Sequence, residues 1–148
     1  MDVEVSGLIR APLALAWAWW TDFGEPGQLF VIDHGVSRTR RRVVAREGDV
    51  VLLEERGAGP KPGILLVRHR VTIRAEAHEL VEDLLWPTRN RSVWRFEAEG
   101  GATRVTRTYP RVGLVRLVPR GVLARYIQRD LDAHVATANA ELAQGHQG

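Results

Sequence analysis

Between Gly35 and Arg111 apolar and polar residues alternate with a period of two, in runs broken by glycine and proline. Val36 to Glu47, Val50 to Arg56, Ile64 to Ala77, Leu80 to Trp86, Ser92 to Glu99 and Ala102 to Arg111 each read as a strand. The breaks are short: Gly48-Asp49, the stretch Gly57 to Gly63, Pro87, and the hairpin-type turn Gly100-Gly101. Connections of that length join antiparallel neighbours. An earlier run, Asp2 to Arg10, alternates in the same way, with Val3, Val5, Gly7 and Ile9 on one side.

Two other stretches follow a helical period. Ala11-Pro12 ends the opening strand, and proline suits the first turn of a helix. Leu13 to Thr21 then reads as a short helix with Trp17 and Trp20 on one face and Trp19 turned elsewhere. After the break at Gly24, Pro26 and Gly27, the segment Gln28 to Ile32 reads as a second short helical or irregular piece. Gly113 to Gln144 reads as one long amphipathic helix, entered through Pro119 and Gly121. At about 100° per residue, Val122, Leu123, Tyr126, Ile127, Leu131, Ala138 and Leu142 share one broad face. Arg125, Gln128, Arg129, Asp132 and Asn139 fall opposite. Asp130 and His134 break the pattern, four apart near the middle of the apolar face. A carboxylate and an imidazole facing a core are costly without partners or water. Either the two pair there, or the helix covers a cavity.

The order is thus one strand, two short helices, six strands and a long final helix. An α+β arrangement follows, with a curved antiparallel sheet of about seven strands wrapped on the C-terminal helix. This order resembles the helix-grip fold of the START, polyketide cyclase and birch-pollen-allergen (SRPBCC) superfamily. The resemblance rests on Ile9-x-Ala11-Pro12 followed by Trp17 and Thr21-Asp22, on Trp94-x-Phe96 before Gly100-Gly101-x-Thr103-Arg104-Val105, and on the final helix. It covers essentially all of residues 1–148, read as a single helix-grip domain. It implies an elongated, mostly apolar pocket between sheet and helix, of the kind that holds lipids, isoprenoids or polyketide-like molecules. It also implies two rivals: a cyclase, aromatase or dehydratase type of enzyme, and a protein-interaction module of the chaperone-activator type.

Strand periodicity supplies candidates for such a pocket. Leu65, Val67, His69, Val71 and Ile73 share a face on which His69 is the polar member. Arg107 and Tyr109 share a face with Val105. Between Leu80 and Trp86 both faces carry apolar residues; taking Val81, Asp83 and Leu85 as inward brings Asp83 to the cavity beside Arg107. Trp94 and Phe96 read as core and Trp86 as a rim residue. The expected ligand-binding set is therefore His69, Asp83, Trp86, Arg107, Tyr109, Tyr126, Asp130 and His134. If the site is catalytic, Asp130 and His134 are the acid-base candidates. Asp33-His34 reads as a loop that could gate the pocket, and His78 and His146 as solvent-exposed.

Composition narrows the remaining classes. The 148 residues are 45% hydrophobic and 26% charged, with formal net charge +3. There is no cysteine, which excludes disulfides, thiol nucleophiles and cysteine-ligated zinc. The arginines are scattered, and Arg40-Arg41-Arg42 alternate faces of a strand, so no nucleic-acid partner is expected. No apolar run reaches the roughly 18 residues that span a bilayer, and the first ten residues carry acids where a signal peptide carries bases. A cytoplasmic monomer or homodimer, without integral membrane association, is the expectation. No phosphate loop, nucleophile elbow or His-Glu-x-x-His occurs, and the histidine spacing carries no ligand signature, so neither cofactor nor metal is expected.

Overall fold

In the computed structural model, which describes residues 2–58 and 63–145, eight antiparallel strands form one curved sheet. They are β1 (Val3–Ile9), β2 (Leu29–Asp33), β3 (Arg38–Glu47), β4 (Val50–Gly57), β5 (Leu65–Arg74), β6 (Glu79–Trp86), β7 (Asn90–Glu99) and β8 (Ala102–Tyr109). The order across the sheet is β1-β8-β7-β6-β5-β4-β3-β2. Helix α1 (Leu13–Trp20) follows β1, and α2 (Arg120–Gly145) ends the described chain. The expected helix-grip class is the one observed.

Three boundaries differ from the sequence reading, each for a local reason. The segment at Gln28 to Ile32 is not a helix: Leu29–Asp33 is an edge strand paired with Arg38 to Arg42 of β3. Five residues with apolar side chains on both faces carry too weak a period to separate strand from helix. The final helix starts at Arg120, not Gly113, and a 3-10 turn occupies Gly113–Leu117. Val118 precedes Pro119 and is extended (φ −81°, ψ 127°), as the proline ring demands of its neighbour. The strand expected to reach Ala77 stops at Arg74, followed by a 3-10 turn and His78 at φ 48°. His78 is half-buried against the edge of Trp17 instead of exposed; His146 lies outside the described residues.

The core fills the concave side. On α2, Leu123, Ile127, Leu131, Val135 and Ala138 are buried, the stripe that a 3.6-residue period prescribes. They meet Val3, Val5 and Ile9 of β1 and Val105 of β8 in one cluster with Trp94 and Phe96. A Cβ on Gly7 would stand 3.0 Å from Val135 Cγ2, so this glycine lets the helix lie close on β1. Trp17 and Trp20 both meet Phe96 edge-on at 5.3 Å. Trp19 turns the other way, and its indole N–H donates to Glu141 Oε2 at 2.6 Å, tying α1 to the far end of α2.

Many of the arginines on the convex face are paired. Glu54 is clamped by Arg42, Arg56 and Arg68. Glu79 is held by Arg74 and Arg95, and Asp83 by Arg70 and Arg91. Among the described residues no helix is long and apolar enough to cross a membrane.

Candidate functional site

Between the concave face of the sheet and α2 lies a cavity of about 570 Å³. Its apolar wall includes Trp20, Phe23, Phe30, Leu53, Leu80 and Trp94. Its polar wall is built by the pleat. Inward positions on β4, β5, β6 and β8 deliver Glu55, His69, Glu82 and Arg107, and α2 delivers Asp130 and His134.

His34 completes the wall from the turn between β2 and β3. Gly35, at φ +84°, makes this possible: a Cβ there would come within 2.9 Å of the Arg129 carbonyl. The turn therefore closes on α2, and His34 Nδ1 reaches Asp130 Oδ1 at 2.6 Å.

Six charged side chains join into a closed ring. His34 Nε2 donates to Glu55 Oε1 at 2.7 Å, and Thr39 Oγ1 donates to the same oxygen at 2.6 Å. Glu55 Oε2 lies 2.9 Å from His69 Nε2, off the line of a straight N–H···O bond, so that contact is an ion pair. His69 Nδ1 donates to Glu82 Oε2 at 2.7 Å. Arg107 donates from Nη2 to Glu82 Oε1 at 3.3 Å and from Nη1 to Asp130 Oδ2 at 2.9 Å. Arg107 Nε is held by Ser92 Oγ at 2.9 Å, and its guanidinium lies 4.4 Å from the Trp94 ring centre. Carboxylates and cations alternate all the way round.

An imidazole with a carboxylate against each nitrogen serves both only as imidazolium. His34 and His69 both meet that condition. Burial alone would push the His34 pKa down; the Asp130 and Glu55 carboxylates outweigh it and raise it to about 10. The same contest at His69, against Glu55 and Glu82, ends at about 9. Despite burial, His34 and His69 hold Glu55 far below the usual carboxylate range, and His69 with Arg107 holds Glu82 at about 2. Burial, then the Asp130 charge, raises the Tyr126 phenol.

His134 stands apart from the ring. Its Nδ1 donates to the Asp130 carbonyl at 2.7 Å and lies 3.5 Å from Asp130 Oδ1. Its imidazole sits among His34, Trp20 and Trp94, at centre distances of 5.4, 6.0 and 6.2 Å. Among the described residues no group hydrogen-bonds its Nε2. Ligand atoms of His34, Asp130 and His134 fall within 4.8 Å of one another, a spacing a metal ion could bridge. That position is already filled by the hydrogen bond between His34 and Asp130.

The structure brings six of the eight expected residues to the cavity: His69, Arg107, Tyr109, Tyr126, Asp130 and His134. Tyr126 reaches it from the helix flank and is 53% exposed. Asp83 does not face it. The inward face of β6 is Leu80, Glu82 and Leu84, so Asp83 points to the convex side, where Arg91 Nε donates to it at 2.7 Å. Glu82 takes the place expected for it beside Arg107. Trp86, 46% exposed, is not among the lining residues. Sequence reasoning missed Glu55, Glu82, Arg41 and the full part of His34. For Glu55 the signal exists, because Val51, Leu53 and Glu55 alternate on one face.

No protein-family model and no curated protein matches the chain. Solved structures do match in fold. The chain is similar to TTHA0849 from Thermus thermophilus at 17% identity and TM-score 0.64, covering 100% of both chains. It is similar to the Zhui aromatase/cyclase from Streptomyces sp. R1128 at 14% identity and TM-score 0.60, over 96% of this chain and 95% of that one. It is similar to the di-domain aromatase/cyclase StfQ of the steffimycin biosynthetic pathway at 12% identity and TM-score 0.61, over 95% of this chain and 46% of StfQ. With its eight-stranded curved sheet closed over one long C-terminal helix, the chain has the helix-grip fold that these cyclases share.

Proposed function

We propose that this protein binds a hydrophobic small molecule with a polar end, a lipid, isoprenoid or polyketide-like compound, inside the cavity beneath α2. The observation that carries the reading is the division of that cavity's wall. One side is tryptophan, phenylalanine and leucine; the other is a ring of charges whose partners hold it in place. Apolar area supplies affinity and the polar groups fix orientation. The volume of about 570 Å³ lies within the range of small-molecule sites, which favours this reading over a protein-interaction module. A cytoplasmic, single-domain monomer or homodimer belongs to the same reading. Trp20 and Trp94 line the cavity and report on it directly. Titration with decanol should change tryptophan fluorescence with one-to-one saturation. A response that never saturates speaks against the reading.

One observation favours a second reading, an enzyme of the cyclase or dehydratase kind. His134 is held by its Nδ1–H on the Asp130 carbonyl, which leaves the Nε2 lone pair as a base. In such a step Nε2 takes a proton from a carbon next to a carbonyl, the C–H electron pair becomes the C=C bond of the enolate, and the carbonyl π pair moves onto its oxygen. The likeness in fold to Zhui and StfQ agrees with that chemistry without establishing it. His134→Ala should then abolish turnover of an enolisable polyketone thioester while decanol still binds. Unchanged turnover would remove this reading.

A further inference from the structure

Arg41 is the one cavity-lining cation outside the ring among the described residues. It lies on β3, directly across from Glu55 on β4, and points inward between Thr39 and Val43. Its guanidinium stacks on Phe23, with Cζ 5.2 Å from the ring centre. Its Nε is buried and has no hydrogen-bond partner, and among the described residues Arg41 makes no ion pair. Arg42, its neighbour on the outer face, is paired with Glu54. The contrast follows from charge. Inside, Glu55, Glu82 and Asp130 are already matched by His34, His69 and Arg107, three against three, because each imidazole needs both protons to serve two carboxylates. No carboxylate is left for Arg41. The interior therefore carries one surplus positive charge beside an aromatic wall made by Phe23 and, across the β2–β3 ladder, Phe30.

A largely buried guanidinium is costly, and burial lowers the Arg41 pKa even though the nearby Glu55 and Glu82 charges, already shared with the ring, push it up. The Nε–H and an Nη–H form a fork that fits the two oxygens of a carboxylate. Other acids of the lining, Asp22, Asp33 and Glu141, are exposed at the mouth. Each already accepts a bond, from Gly24 N–H, Gly35 N–H and the Trp19 indole. Water screens them, and they do not neutralise Arg41.

From this we infer that the ligand is an apolar monocarboxylate whose carboxylate pairs with Arg41 and whose hydrocarbon body lies against Phe23, Phe30 and the tryptophans. The inference rests on the small-molecule reading above and names the charge of its ligand. Decanoate and decanol share a chain and differ in that charge. Binding of each, followed by tryptophan fluorescence near neutral pH, tests it. The wild-type protein should bind decanoate at least about tenfold more tightly than decanol, the scale of one charge-assisted pairing. Arg41→Gln should erase that preference and leave decanol affinity unchanged within about twofold, while Arg41→Lys, which keeps the charge, should retain part of it. Equal wild-type affinities for the two compounds, or a preference that survives Arg41→Gln, overturn the inference while leaving the cavity-binding reading intact. Failure of the wild type to bind either compound overturns both.

Discussion

Arg107 Nη1 donates to Asp130 Oδ2 across 2.9 Å, and this bond joins the eighth strand to the middle of the long helix. Both side chains are largely buried, 9% and 14% exposed, and both belong to the charged ring. Removing one partner of such a pair leaves an uncompensated charge. Asp130→Asn should therefore lower stability by about 3 kcal/mol in urea unfolding, and Arg107→Met by a similar amount. The double variant should lose less than the sum by about 1 kcal/mol or more, because the second change removes a charge that the first has stranded. Strict additivity would show that the two groups do not interact.

The ring also sets a pH profile. The raised pKa values of His34 and His69 contribute stability fully present below their unfolded value near 6.5 and lost as pH rises toward about 9 and 10. The lowered pKa values of Glu55 and Glu82 contribute stability fully present above about 4.5 and lost as pH falls toward 2. The unfolding free energy from urea denaturation should be highest between about pH 4.5 and 6.5 and decline on both sides, by a few kcal/mol in alkali. His69→Gln should flatten the alkaline limb. A midpoint that climbs from neutral to alkaline pH contradicts the imidazolium assignment.

Glu82 and Asp83 are neighbours in sequence on opposite faces of β6. Glu82→Gln breaks the ring between His69 and Arg107 and should cost about 3 kcal/mol. Asp83→Asn removes pairs with Arg70 and Arg91, which are 48% and 64% exposed, and should cost about 1 kcal/mol or less. Paired denaturation curves check the contrast, and the reverse order would mean that β6 turns its other face inward.

That pair also marks where the sequence stops being legible. The period of two in Leu65 to Ile73 places His69 inward without ambiguity, because Arg68 and Arg70 flank it. The period of 3.6 does the same for Asp130 and His134. Leu80 to Trp86 offers apolar residues on both faces, and the face is decided by β6's register against β5, which shifts at a bulge between Arg68 and His69. A bulge is a long-range property of two strands, not a local pattern. His34 is legible only as part of a loop that could gate the pocket. What brings it to Asp130 is the contact of Gly35 with the Arg129 carbonyl, at the other end of the chain. The charged ring is closed by side chains from strands, a turn and one helix, so no single stretch announces it.

The outer arginines should not make a nucleic-acid surface. Glu54, Glu79 and Asp83 each hold two or more of them, and Arg40 to Arg42 alternate faces. A gel-shift assay with duplex DNA and single-stranded RNA near physiological salt should show no specific complex. A tight complex with steep salt dependence would reverse that conclusion.

The central claim is that the cavity beneath α2 takes up a small apolar molecule. Native mass spectrometry of the purified protein, recorded before and after incubation with excess decanoate, tests this most directly. The predicted result is a population heavier than the chain by one small molecule, either carried through purification or acquired on incubation, that dissociates on collisional activation. A spectrum showing only the bare chain in both samples would contradict the account.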